Sequence, residues 1–395
     1  MNVCFETFGC RLNKAEALQM EADYLAKGWK LTSSHSAADL IVVRGCSVTA
    51  SAQRDCERLI DHLRKKYPRK RLVICGCLME KSEPPQWVLS QGMRTNPDHP
   101  PVPTRTARAY LKVQDGCAGE CTFCIVPQFR GKSVSTPFTE VLDKAGRFID
   151  AGYREIVVTG CNLSLYASEG HRLPDLLSAL ADRSLGACRV RLGSLEPGSC
   201  ALETVHAMAE RENVCRFLHL PVQSGSNRIL FAMKRPYVAK DVERLVVVAR
   251  KLMPSVGLGC DLMTGFPGET DLDFLATKGL LSRLDFSNVH AFPYSERPGT
   301  PAAALPGSVP RKVRSAWARE LSHLARASRY AFAQTFIGKT VDVVVENEVH
   351  RTGWTGEYLR CQIVSGTVKR KELVRIRVRQ ADGDRLLGQI VKSSR

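Results

Sequence analysis

Three cysteines stand close together in the stretch Val113-Gln114-Asp115-Gly116-Cys117-Ala118-Gly119-Glu120-Cys121-Thr122-Phe123-Cys124-Ile125-Val126-Pro127. The spacing C-x-x-x-C-x-x-C, with two glycines, lets three thiolates converge on one metal site, and no fourth cysteine or histidine is nearby. A closed zinc site takes four ligands, and an iron–sulfur cluster held wholly by protein takes four cysteines. Three thiolates therefore leave one iron of a four-iron cluster open to another ligand. A zinc site completed by a distant residue, or three buried thiols, are competing readings of the same spacing.

A second set of thiols emerges from the elements that carry them. Residues 3–8 read as a strand, followed by Gly9-Cys10 and an amphipathic helix with Ala15, Leu18, Met20 and Leu25 inward. Asp39-Leu40-Ile41-Val42-Val43 is a buried strand ending at Cys46, and residues 50–67 form a basic helix with Leu59, Ile60 and Leu63 inward. Arg71-Leu72-Val73-Ile74-Cys75 is a further strand, ending at Gly76-Cys77. Alternating strands and helices imply a parallel α/β sheet. Cys10, Cys46 and Cys77 then each follow the C-terminal end of a strand, the edge where such sheets bind ligands. Single buried cysteines are common, so position alone leaves a core role open.

From 108 to 336 strands and helices keep alternating, as in a partial (β/α) barrel whose working residues lie at C-terminal strand ends. Strands are expected at 154–159, 187–192, 217–220, 257–263 and 285–290, with helices such as 141–151 and 240–252 between them. Glycine and polar motifs follow four of these strands: Thr159-Gly160-Cys161-Asn162-Leu163, Ser194-Leu195-Glu196-Pro197, Pro221-Val222-Gln223-Ser224-Gly225-Ser226 and Thr264-Gly265-Phe266-Pro267-Gly268-Glu269-Thr270. Glycine allows close backbone approach to a ligand, and Gln, Ser and Glu can bond a ribose or an amino-acid group. Arg130, just after the cysteine loop, is read as reaching either nucleic acid or solvent.

After a helix over 315–336 the texture changes to short strands at 340–346, 358–363, 372–379 and 386–391, a small antiparallel β-barrel. Arg375, Arg377 and Arg379 share one face of its longest strand, near Lys369, Arg370 and Lys371. Such a row suits phosphate contacts, although a solvated basic face reads the same way. The net charge of +17 also points to a polyanionic partner. The N-terminus lacks the pattern of a secretory signal, and no run approaches the ~18 apolar residues of a membrane helix. The fifteen cysteines are therefore expected in a reducing, cytoplasmic setting, as metal or redox ligands before disulfides. Cys4, Cys56, Cys75, Cys161, Cys188, Cys200, Cys215, Cys260 and Cys361 are read as core or spectator thiols.

With Phe123 between its last two cysteines, the loop resembles the signature of radical S-adenosylmethionine (SAM) enzymes. Thr7-Phe8-Gly9-Cys10-Arg11-Leu12-Asn13, Gly45-Cys46-Ser47-Val48-Thr49 and Cys75-Gly76-Cys77-Leu78 resemble the three N-terminal cysteine motifs of the methylthiotransferases within that group. The four strand-end motifs resemble that family's cofactor contacts, and the last sixty residues resemble its RNA-binding TRAM module. The resemblance implies an α/β chain of three parts: an N-terminal parallel α/β domain over 1–104, a radical SAM barrel over 105–336 and a TRAM-like barrel over 337–395. It implies two [4Fe-4S] clusters, a catalytic one on Cys117, Cys121 and Cys124 and an auxiliary one on Cys10, Cys46 and Cys77. It also implies S-adenosyl-L-methionine near Gly160, Glu196, Gln223, Ser224 and Gly268, and RNA on Arg375, Arg377, Arg379, Lys369 and Arg370.

The expected partners are tRNA and an electron donor such as a flavodoxin or ferredoxin, with the protein a monomer and no membrane involved. Two departures stand out. Arg44 occupies a position where the family has a residue such as Asn or Thr, and the stretch from Cys77 to Cys117 is short and marked by Pro84, Pro85, Pro97, Pro100, Pro101 and Pro103. Family substrates are isopentenyl-adenosine in tRNA, threonylcarbamoyl-adenosine in tRNA and a ribosomal-protein aspartate. Residues 45–49, 157–163, 292–300 and 353–358 look most like the threonylcarbamoyl-adenosine group, which implies methylthiolation at carbon 2 of that base beside the anticodon. A non-catalytic iron–sulfur RNA-binding protein is the reading from another class.

Overall fold

The computed structural model describes residues 1–46, 50–77, 106–198 and 200–391. Ser47, Val48, Thr49 and Leu78 of the cysteine motifs, the proline-marked segment and the 104/105 boundary lie outside them.

The N-terminal sheet contains β1 (Asn2–Thr7), β2 (Lys30–Leu31), β3 (Leu40–Gly45) and β4 (Arg71–Gly76), all parallel in the order β2-β1-β3-β4. The edge strand β2 was not legible in the sequence because it is two residues long. One face packs on α2 (Ala50–Lys66) through Ile60 and Leu63, with Cys4, Ile41, Val43 and Leu72 beneath them. The other face packs Phe5, Leu40, Val42 and Val73 on Met20 of α1 (Arg11–Ala26). This helix is not simply amphipathic as expected. Its opposite side, Ala15 and Leu18, packs on Tyr110 and Val157 of the next unit. A helix clamped between two apolar surfaces carries apolar residues on two faces, and its one-sided periodicity is lost.

The central unit begins at β5 (Ala109–Lys112). A short ribbon, β6 (Gln114–Asp115) with β7 (Val134–Ser135), brackets the cysteine loop and α3 (Val126–Arg130). Then come α4 (Phe138–Asp150), β8 (Glu155–Thr159), a small hairpin of β9 (Ala167–Ser168) and β10 (His171–Arg172), α5 (Leu173–Arg183) and β11 (Arg189–Arg191). The unit continues with α6 (Ala201–Glu210), β12 (Phe217–Gln223), α7 (Asn227–Ala232), α8 (Ala239–Leu252), β13 (Gly257–Thr264), α9 (Asp271–Leu284), β14 (Asn288–Pro293) and α10 (Arg311–Gln334). The parallel strands run β5-β8-β11 and β12-β13-β14, stitched by bridges Val190–Val214 and Ser194–His219 into one open barrel wall. β14 starts later than expected. Asp285 ends α9 at φ 42°, and the Ser287 hydroxyl is bonded to both the N–H and the C=O of Leu258, so pairing begins at Asn288.

Along each wall strand the outward residues join one core under the helices, for example Leu111, Ile156, Val158, Val190, Leu218, Leu258 and Cys260. Their neighbours Lys112, Glu155, Arg191, His219, Asp261 and His290 occupy the opposite, lumenal face, as a period of two requires.

The C-terminal unit is a closed barrel of β15 (Thr340–Asn347), β16 (Thr352–Thr355), β17 (Arg360–Ser365), β18 (Leu373–Asp382) and β19 (Arg385–Ile390). It departs from the all-antiparallel expectation in one pair, since β17 and β19 run parallel and close it. β16 was also missed, and Tyr358 stands at φ 68° in the turn before β17 rather than in a strand. The turn plugs the floor of the larger barrel. There Glu155, with 0% exposure, bonds Arg189 Nε and Arg191 Nε, both at 2.7 Å. These arginines donate onward to backbone oxygens of the small barrel: Arg189 to Asp342 and Trp354, Arg191 to Thr355 and Gly356, at 2.8–3.0 Å.

Candidate active site

Because β1, β3 and β4 are adjacent and parallel, Cys10, Cys46 and Cys77 stand in a row along one sheet edge. Gly9, at φ 89°, makes room for this arrangement. A Cβ there would fall 2.7 Å from Cys46 Cβ and 2.8 Å from its Sγ. Two residues not read as functional support the row. Cys56 Sγ accepts from the Cys46 N–H at 3.4 Å. Asn13, 1% exposed, donates to the oxygens of Phe8 and Gly45 at 2.9 and 3.0 Å, tying the Cys10 turn to the strand before Cys46. Cys75 lies in the core, as read, with Arg44 Nη1 3.8 Å from its sulfur.

The loop thiols gather at the barrel's C-terminal edge. A Cβ on Gly119 would sit 3.2 Å from Cys117 Sγ and 3.9 Å from Cys121 Sγ, so the absent side chain leaves the space between them clear. Arg235 Nη1 lies 3.0 Å from Cys121 Sγ, and its Nη2 pairs with Glu196 Oε1 at 2.7 Å. Asn162 donates to the other Glu196 oxygen at 3.1 Å. Arg235 was missed by sequence reasoning, although a cation before Pro236 just after α7 was the available signal.

Arg130, on α3 just after the cysteine loop, links that loop to the N-terminal unit. It is 10% exposed in the side chain and bonds Glu16, Asp115 and Asn13 at 2.9–3.1 Å, and it also bonds the Cys77 side chain. It is thus a strut between α1 and the cysteine loop and not a free contact for nucleic acid. Glu16 gathers Arg130, Lys112 and Arg44. Burial alone would raise its pKa, but the Arg130 hydrogen bond and the three cations bring it down to about 2. Here lies the physical reason for the unusual Arg44: it is one of three positive charges on a single buried carboxylate.

The strand-end residues differ in what they offer. Gly160 is required by packing, since a Cβ would meet Gln114 Oε1 at 2.9 Å. Gln114, fully buried, bonds Ser133 and the backbone of Asp115, Gly116 and Asn162. Glu196 is engaged by Arg235. Gln223 is 7% exposed, sits at φ 67°, and its Oε1 has no hydrogen-bond partner among the described residues. The Ser224 hydroxyl is turned inward instead, bonded to Thr277 and to the Ser226 N–H. Gly268, at φ 77°, has open space where a Cβ would stand. Arg375, Arg377 and Arg379 line the exposed face of β18, with Lys369 and Arg370 exposed beside it, while Lys371 lies 3.8 Å from the Tyr153 ring centre.

The donor sets fit iron–sulfur clusters. Sulfurs bound 2.3 Å from a single zinc stand about 3.8 Å apart, whereas among the described residues neither trio gathers all its sulfurs within 4.8 Å. Burial pushes the Cys124 thiol up to about 11 and raises Cys117 and Cys77 as well, a cost that thiolate coordination removes. The unpartnered Gln223 oxygen fits a donor supplied by a ligand such as SAM.

Comparison with known proteins agrees with this geometry. Residues 111–281 match the Radical SAM superfamily, and residues 2–91 match the Uncharacterized protein family UPF0004. The threonylcarbamoyladenosine tRNA methylthiotransferase MtaB of Thermotoga maritima is 31% identical over 96% of this chain and 95% of its own. The tRNA-2-methylthio-N(6)-dimethylallyladenosine synthase of Cereibacter sphaeroides is 30% identical over 97% of each. Among solved structures, the radical SAM methyltransferase TsrM of Kitasatospora setae, with cobalamin and a [4Fe-4S] cluster bound, shares the fold at TM-score 0.54. That match is 15% identical and covers 76% of this chain and 77% of the other. With relatives alike along nearly its whole length and a radical SAM barrel in the middle, the chain belongs to the radical SAM tRNA methylthiotransferases.

Proposed function

We propose that this enzyme transfers a methylthio group to carbon 2 of N6-threonylcarbamoyladenosine beside the tRNA anticodon. The observation that carries the reading is the 31% identity, along 96% of this chain, to a relative named for that substrate, repeated at 29% in Chlamydia pneumoniae. Cys117, Cys121 and Cys124 would hold a catalytic [4Fe-4S] cluster, and Cys10, Cys46 and Cys77 an auxiliary one. Bound there, the clusters and SAM supply the electron, the radical and the sulfur needed at a C–H bond with no acidic proton.

The chain's own residues do the positioning. Arg235 places a positive charge against Cys121 and is itself oriented by Glu196. Arg130 holds the two thiol sets at a fixed relation through Cys77, Glu16 and Asp115. Gln223 offers an oxygen, and Gly268 an open approach, to SAM. Arg375, Arg377 and Arg379, with Lys369 and Arg370, would track RNA phosphates. The units would act as three domains over 1–104, 105–336 and 337–395, with an external one-electron donor such as a flavodoxin or ferredoxin, as a cytoplasmic monomer.

The test is mass spectrometry of tRNA nucleosides from cells with and without the protein. Loss of the methylthio-threonylcarbamoyl nucleoside with accumulation of its precursor is expected. Loss of the methylthio-isopentenyl nucleoside instead would move the substrate to that of the Cereibacter relative.

A further inference from the structure

The lumen of the open barrel holds a polar cluster that neither thiol set uses. His219, Asp261 and His290 project inward from three neighbouring strands, β12, β13 and β14. Asp261 Oδ1 lies 3.2 Å from His290 Nδ1 and 3.7 Å from His219 Nε2, and His219 Nδ1 is 3.1 Å from the Ser194 hydroxyl. Gly259 preserves the arrangement, because a Cβ there would fall 2.8 Å from His219 Cδ2. His219 is half-buried in this chain, with 15% of its side chain exposed, while Ser194 is exposed and the His290 side chain is 70% exposed.

A fixed cation reaches the same space. Arg11, the residue after Cys10, lies 5.5 Å from the Tyr358 ring centre and bonds its hydroxyl. Both Arg11 and His290 are close enough to influence His219 electrostatically. Among the described residues Arg11 has no carboxylate partner, and Glu155 below is already taken by Arg189, Arg191 and Arg108. The lumen therefore combines a guanidinium with no carboxylate partner among the described residues, an accessible imidazole, and the Ser194 hydroxyl, His219 and Asp261 in series.

We infer that Arg11, His290, Asp261, His219 and Ser194 form the subsite for the amino-acid arm of the modified adenosine, Arg11 and His290 taking its carboxylate and Asp261 its hydroxyl. The inference rests on the substrate proposed above and adds how that substrate is selected. A carboxylate answers a guanidinium that lacks a carboxylate partner among the described residues, through a charge-assisted bond of the strong kind. An isopentenyl arm would leave the same polar groups without partners, and sites built to bond a polar group reject analogues lacking it.

The experiment uses full-length, cluster-reconstituted enzyme and anticodon stem-loop RNAs carrying threonylcarbamoyladenosine, isopentenyladenosine or plain adenosine. Dissociation constants are measured for the wild type, Arg11→Gln, His290→Phe and His290→Gln, with iron content as the control for intact clusters. The wild type should prefer the threonylcarbamoyl RNA to the plain one. His290→Phe and Arg11→Gln should each shrink that preference about 10-fold while affinity for plain RNA holds, and His290→Gln should retain part of it. If the wild type methylthiolates the threonylcarbamoyl RNA yet the preference is absent or untouched in every variant, the subsite is overturned and the substrate stands. If the wild type modifies only isopentenyl RNA, the substrate reading falls, and this inference with it.

Discussion

Replacing Glu155 by Gln should loosen the whole C-terminal half of the molecule. Glu155 is fully buried and is the sole carboxylate, among the described residues, within ion-pair reach of Arg189 and Arg191, which are 7% and 0% exposed. The substitution keeps shape but removes the charge and turns an amide N–H toward guanidinium N–H groups. Removing one partner of such a buried pair costs about 3–5 kcal/mol, because the remaining charge stays buried without compensation. For a unit of this size that corresponds to roughly 6–20 °C in Tm.

The cost should not stay local. The same guanidinium groups hold the small barrel by four bonds to its backbone oxygens, so the variant should release that barrel to protease faster than the wild type. Differential scanning calorimetry with limited proteolysis reads both effects. In the wild type, burial acts to raise the Glu155 pKa, but Arg191, Arg189 and Arg108 hold it well below the carboxylate range. Its stabilisation is therefore present above the ordinary value of 4.5 and lost as pH falls below it, so the difference between wild type and variant should narrow in acid. A Tm change of less than about 2 °C at pH 7, with unchanged proteolysis, would refute the claim that this network docks the C-terminal barrel.

Other perturbations have equally definite outcomes. Glu269 accepts from the Gly265 and Phe266 N–H groups, but burial of its unpartnered Oε1 carries its pKa from 4.5 up to about 7. Its folded-state contribution is complete below pH 4.5 and is lost as pH rises through 7, worth about 3 kcal/mol, so Glu269→Gln should flatten the decline in denaturation midpoint between pH 5 and 8. Gly119→Ala would place a Cβ 3.2 Å from Cys117 Sγ, and in a background lacking Cys10, Cys46 and Cys77 it should lower the iron retained per chain after reconstitution. Replacing Arg375, Arg377 and Arg379 by Ala should reduce the slope of log affinity for tRNA against log salt by about 2–3. An unchanged slope would mean that this face is merely solvated.

The amino-acid sequence alone determined what depends on local spacing and period. The C-x-x-x-C-x-x-C loop, the cysteines after β1, β3 and β4, and the barrel strands β8, β11, β12 and β13 were legible because each is written within a few residues. The alternation of β18 was equally clear, since one face meets water and the other the core at every second position. The Radical SAM and UPF0004 matches fall on the segments those patterns marked.

Tertiary structure decided what depends on residues far apart. Arg130 reads as a surface cation until Asn13, 117 positions away, and Glu16 are brought to it. Arg235 reaches Cys121 across 114 positions, and Glu155 finds arginines on a strand it could not specify. Ser224 looked available in a polar motif, yet folding turned its hydroxyl onto Thr277. α1 lost its simple amphipathic character because two surfaces, not one, close on it. A charged side chain's local sequence gives its charge and reach, but its partner is set by which strands become neighbours, and that is a property of the folded chain.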